Sequence, residues 1–200
     1  MSIPRACAAA ALALVVGGCA LLIDRPTPAR YYLLTPVAER PPGMRTRPDL
    51  IVGLGPIRIP AYLDRPSLMT RVDQNRVQPS NVDLWAAPLS QSVPAVLVEN
   101  LTTLLAPRQV VTYPWYRTAK VSCHVRVDVR RLERRAGGGA SFAARWSVEE
   151  VGKDGTLRRG STEVDDVTPD DADAVVAALS VGLAQLSEDV ARAVDEVTSP

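Results

Sequence analysis

Aromatic side chains are scarce in this chain of 200 residues, with three Trp, five Tyr and one Phe. The core must therefore be filled by Val, Leu, Ile and Ala, with the few aromatics as large local anchors. An excess of one charge is missing too, since 23 Lys and Arg face 22 Asp and Glu. No global field gathers nucleic acid or an anionic surface around it. There is one histidine, His124, and the three cysteines are Cys7, Cys19 and Cys123. Those are too few for the clustered ligands of a zinc centre. No Gly-Lys-Ser/Thr phosphate loop occurs, and Gly53-Leu54-Gly55 runs into Pro56, with Arg58 where a dinucleotide fingerprint has its third glycine. ATP hydrolysis is excluded as an activity of this chain, and no cofactor or metal is implied. What remains, at 46% hydrophobic and 22% charged, is one globular domain.

The first 18 residues read differently from the rest. Arg5 precedes an apolar run from Ala6 to Val16, and Gly17 and Gly18 lead into Cys19. The run is shorter than the roughly 17 to 25 residues a helix needs to cross a bilayer, and its three parts are those of a cleaved signal peptide. Val16-Gly17-Gly18-Cys19 resembles a bacterial lipobox, in which the cysteine thiol takes a diacylglycerol, cleavage frees its amine, and the amine is acylated in turn. The alternative is an ordinary secretory signal with a free cysteine. With Cys19 acylated, Cys123 is the single thiol left, so the exported domain holds no internal disulfide. Residues 19–30, with Pro26 and Pro28, read as an extended tether. Ala20 follows the cysteine, where aspartate tends to retain similar lipoproteins in the inner membrane, so the expected location is the periplasmic face of the outer membrane.

Residues 31–200 form the domain. Strands are expected at Tyr31 to Leu34, Leu50 to Ile59, a hairpin of 67–72 with 76–79 around Asp73-Gln74-Asn75, and Val110 to Tyr113. The clearest strand alternates Val121, Cys123, Val125, Val127 and Val129 with Ser122, His124, Arg126, Asp128 and Arg130. Gly137-Gly138-Gly139 turns the chain into a strand on which Phe142, Ala144, Trp146 and Val148 share a face, and Asp154-Gly155 turns it back to Leu157 to Val164. Leu89, Val93, Val96, Leu97, Leu101, Leu104 and Leu105 have helical spacing, and Pro94 is tolerable if the helix begins near Pro88 or Ser90. Val176, Leu179, Leu183, Leu186, Val190, Val194 and Val197 mark a second helix from about Pro169, with Asp170, Asp171 and Asp173 at its positive end. The sum is an α+β fold: a mostly antiparallel sheet with two amphipathic helices packed on one face.

The chemistry-bearing residues do not assemble. Cys123 and His124 are strand neighbours and point to opposite faces, so they form no nucleophile and base pair. Glu149 and Glu150 diverge for the same reason. Arg130, Arg131, Arg134 and Arg135 read as a solvated strand end or a site for phosphate or lipid headgroups. No catalytic residue emerges.

Three segments, in order, carry a resemblance: Tyr31-Tyr32-Leu33-Leu34, then Ile59-Pro60-Ala61-Tyr62-Leu63-Asp64-Arg65-Pro66, then Leu84-Trp85-Ala86-Ala87-Pro88-Leu89 opening a helix. Together they resemble the ABC-type transport auxiliary lipoprotein family, which includes the paraquat-inducible protein C lipoproteins. Members often have Arg before the tryptophan and Glu after the alanine, where this chain has Leu84 and Ala87. The resemblance implies a non-enzymatic part in intermembrane lipid transport: an outer-membrane lipoprotein that docks a periplasm-spanning MCE-domain protein, whose permease and ATPase sit in the inner membrane. The alternative is direct carriage of lipid by the domain itself. Tyr62, Leu63, Trp85, Pro88 and Leu89 are the expected partner-binding residues, with core packing an equal claim on Tyr62 and Trp85. Self-association into a ring is left open.

Overall fold

The computed structural model describes residues 27–116, 119–152, 155–167 and 169–199. The signal segment, Cys19, most of the tether and Asp154 lie outside the described residues.

Ten elements follow one another: β1 (Arg30–Tyr32), β2 (Ile51–Arg58), β3 (Ser67–Arg71), β4 (Val77–Trp85), α1 (Leu89–Leu105), β5 (Gln109–Thr112), β6 (Cys123–Arg135), β7 (Ala140–Glu150), β8 (Leu157–Asp166) and α2 (Ala172–Thr198). The strands form one eight-stranded sheet built around β6. One flank of β6 takes β7 antiparallel, and β8 pairs antiparallel beyond it. Its other flank is shared. β2 runs parallel to its first half, Val52 opposite Cys123 and Arg58 opposite Asp128, and β3 runs parallel to its last residues, Arg71 opposite Arg135. β5 lies parallel outside β2, β4 antiparallel outside β3, and β1 parallel outside β4. The sheet is therefore mixed, a correction to the mostly antiparallel one expected. Hairpin turns announce themselves in a sequence, but parallel neighbours are joined by long crossovers that leave no local mark.

The helical spacing translates directly into burial. Every one of the seven apolar positions read for α1 and the seven read for α2 is buried. α1 lies against β2 and β5, α2 against β6, β7 and β8, and the two helices pack on each other. Between them Asn100 donates from Nδ2 to Ser187 Oγ at 3.2 Å, while its Oδ1 accepts from the Ala38 amide at 3.2 Å. A buried polar pair of this kind costs little because both groups are satisfied. α2 is long and apolar enough to cross a bilayer, but 67% of that stretch is buried in this core.

On β6, Cys123, Val125, Val127 and Val129 are buried, and His124, Arg126, Asp128 and Arg130 face outward. The alternation then breaks. A bulge between Val129 and Arg131 shifts the phase, so that Leu132 and Glu133 are both buried.

Candidate functional site

The three sequence segments that carry the resemblance meet at one corner of the domain. The loop after β2 closes on itself, with the Leu63 and Asp64 amides donating to Pro60 O at 2.9 and 3.2 Å. This drives Leu63 into the core with no exposed surface, and turns Asp64 outward. Pro88 caps α1 but has no side-chain hydrogen bond to offer the orphan amides behind it. Asp64 supplies it from a distance: its Oδ1 accepts from the Ser90 amide at 3.0 Å.

Trp85 ends β4 and locks the corner from the other side. Its amide donates to Pro66 O at 2.6 Å, its Cα partner across the ladder is Tyr32, and the next amide, Ala86, donates to Tyr32 O at 2.8 Å. Tyr32 and Trp85 are both buried, whereas Tyr31 and Leu33 on either side of Tyr32 are exposed. An open groove of about 400 Å³ remains along the seam. Its walls include Arg65, Pro66, Trp85, Ala87, Pro88 and Gln91.

Of the five residues expected at a partner surface, Leu63, Trp85 and Leu89 belong to the core and Pro88 is exposed. Tyr62 is half-buried and turned to an ion pair whose carboxylate is buried. Its hydroxyl donates to Glu133 Oε2 at 3.2 Å and accepts from Arg71 at 3.4 Å, while Arg71 Nε bonds the other Glu133 oxygen. Burial, and then the Glu133 charge, raise the Tyr62 hydroxyl above the usual phenol range. Glu133 has no exposed surface, so this loop is pinned from beneath by a buried carboxylate that Arg71 and Tyr62 satisfy. Arg65 and Pro66 lie in the Pro60–Pro66 segment that carries the resemblance, whereas Gln91 at the groove and the Asp64 cap carry no sequence signal. A cap contributed from 26 residues away has no local signature.

The nucleophile and the base are kept apart. Cys123 is fully buried and its thiol is pushed up to about 12 by desolvation. His124 lies on the other side of β6, its ring centroid 5.1 Å from that of Trp115. Glu149 pairs with Arg126 at 2.7 Å, and that hydrogen bond holds its carboxyl below the usual range. The arginine cluster is dispersed: Arg130 meets Asp128 at 3.3 Å, Arg131 meets Glu163 at 3.3 Å, and Arg134 pairs with Asp170. Among the described residues, no three His, Cys, Asp or Glu side chains gather as metal ligands would.

The same mixed α/β architecture occurs in solved structures. One, a crystal structure of an uncharacterized protein, is 22% identical with a TM-score of 0.67, over 84% of this chain and 99% of that one. Another, protein XCC0632 from Xanthomonas campestris, is 17% identical with a TM-score of 0.66, over 84% and 96%. No curated protein matches the sequence. The family is settled by the sequence profile of the ABC-type transport auxiliary lipoprotein component, which matches residues 31–191: the chain belongs to that family. Membership makes it a transport auxiliary lipoprotein, associated with a membrane and with a transporter.

Proposed function

We propose that this chain is an outer-membrane lipoprotein, held by acylated Cys19 on the periplasmic face, that docks an MCE-domain periplasmic protein of an ABC-type lipid transporter and carries out no chemical step itself. The observation that carries the reading is the family match from Tyr31 to Ala191, which spans all of the sheet beyond Arg30 and most of α2. The corner is consistent with it. Leu63, Trp85 and Leu89 act from within, holding the seam rigid, and the groove beside Pro66 and Pro88 is the surface they present. Pre-set surfaces of this kind bind with less loss of conformational freedom.

Photo-crosslinking tests this in the native cells. A benzophenone side chain at Pro88 should join the full-length lipoprotein to an MCE-domain protein, identified by mass spectrometry of the adduct. Crosslinks confined to lipid, or to unrelated envelope proteins, would overturn the docking role.

A further inference from the structure

Gly53 and Gly55, which belong to no nucleotide fingerprint, have a structural use. A Cβ on Gly53 would lie 3.1 Å from the ring of Trp115 and 3.2 Å from Val121. One on Gly55 would lie 2.7 Å from Tyr113 Cβ, and Gly55 holds a φ of +122°, which a side chain disfavours. The two glycines thus make the floor of an aromatic platform. Tyr113 and Trp115 meet edge to face at 5.6 Å, and Trp115 lies against His124. The platform is fixed, and it is open to solvent: Tyr113 is 60% and Tyr116 86% exposed. In a chain with nine aromatics, three fall within these four residues.

Beside the platform runs a free strand edge. Among the described residues, β5 pairs with β2 on one side only. The Tyr113 amide donates to Leu54 O at 2.9 Å, so strand alternation gives the amides of Gln109 and Val111 to β2 and turns those of Val110 and Thr112 to the open side. An open groove of about 490 Å³ follows this edge, walled by Val110, Val111, Pro114, Trp115 and Tyr116. Arg108 and Lys120 flank it, both exposed, and neither has an ion-pair partner among the described residues.

The direction of the chain says which way this edge looks. β2, β3 and β5 run parallel to β6, β4 runs against β3, and β1 runs with β4. The chain before Arg30 therefore enters at the end of the sheet where β6 finishes at Arg135. The platform sits at the other end, by Gly53 and His124, and 13 residues of β6 separate the two ends by about 40 Å. The anchor proposed at Cys19 thus joins the domain at the end opposite the platform and leaves the β5 edge clear of the chain's entry at Arg30.

We propose that the β5 edge and its aromatic platform receive an extended strand of the periplasmic partner. That strand is added antiparallel or parallel to β5, with an apolar side chain against Trp115 and Tyr116 and acidic residues opposite Arg108 and Lys120. Edge addition supplies backbone hydrogen bonds, and the aromatic groove supplies selectivity. The inference rests on the docking role proposed above and names a surface for it distinct from the Pro88 groove.

The test uses the full-length lipoprotein in its native cells, with the benzophenone side chain at Tyr116. The expected adduct joins Tyr116 to a segment of the MCE-domain protein that alternates apolar residues between acidic ones. Thr112→Pro removes an outward amide that an edge strand does not need for its own sheet, and should lower the yield of that adduct at least tenfold. As a second variant, Tyr113→Ala, which removes an exposed ring of the platform, should lower the yield at least threefold with thermal unfolding unchanged. An adduct between two copies of this chain, an adduct with lipid, or a yield unchanged by both variants would overturn the proposal. Crosslinks to the MCE-domain protein from Pro88 with none from Tyr116 would sink this surface and keep the docking role. None from either position would sink both.

Discussion

Cys123 shows how far a single position can be read and what it then predicts. Strand alternation places it inside and His124 outside, and the structure agrees. Folded, the thiol keeps its proton up to about 12, while unfolded it releases it near 9.0. Between those values the unfolded state binds fewer protons, so stability falls as pH rises, by about 1.4 kcal/mol per unit for one group. Urea unfolding followed from pH 9 to 10.5 should therefore show a slope that Cys123→Ala flattens by up to that amount. Parallel slopes for the two proteins would mean that the thiol is open to solvent. Native protein at pH 8 should also leave a thiol reagent untouched until urea is added. Glu133 was not legible in the same way. By strict alternation it would share the helix-facing side with Val127 and Val129, but the β6 bulge turns it to the opposite face, where Arg71 and Tyr62 cover it.

Helices are the elements that the sequence expresses most directly, because a buried face repeats every three or four residues whatever it packs against. α1 starts at Leu89, as Pro88 implied, and α2 starts at Ala172, with Asp171 accepting from the Ala174 amide in place of a start near Pro169. β4 extends to Trp85, further than the hairpin turn alone indicated, because Trp85 pairs with Tyr32 of β1. How elements are joined is harder to read than what they are. The end of α1 depends on Asp64, a residue of another segment, so Asp64→Ala should reduce stability by about 0.5 to 2 kcal/mol, the usual worth of an N-cap. Asp64→Asn should recover most of it, since an amide oxygen also accepts from Ser90. Equal losses in the two variants, measured by denaturant unfolding, would show that the charge and not the cap matters.

At the scale of the molecule, the signal segment and the domain make separable demands. Removing residues 1–18 takes away Arg5, the one charged residue there, and leaves 22 basic and 22 acidic side chains. A neutral domain gains little from an anionic surface, which fits the acyl anchor proposed at Cys19. Each buried methylene contributes about 0.8 kcal/mol, and two or more chains hold a protein stably where one does not. The attached protein should therefore stay with the membrane fraction in 1 M salt, where a charge-held protein would be washed off. The Cys19→Ser variant should lose the acyl mass from its N-terminal peptide with its thermal unfolding unchanged, since Cys19 precedes β1 by 11 residues. Release of the parent protein by salt would refute the acyl anchor. So would an N-terminal peptide of the parent protein that carries no acyl chains, since a second attachment, through the aromatic platform or the Arg65 groove, would then be holding the protein there.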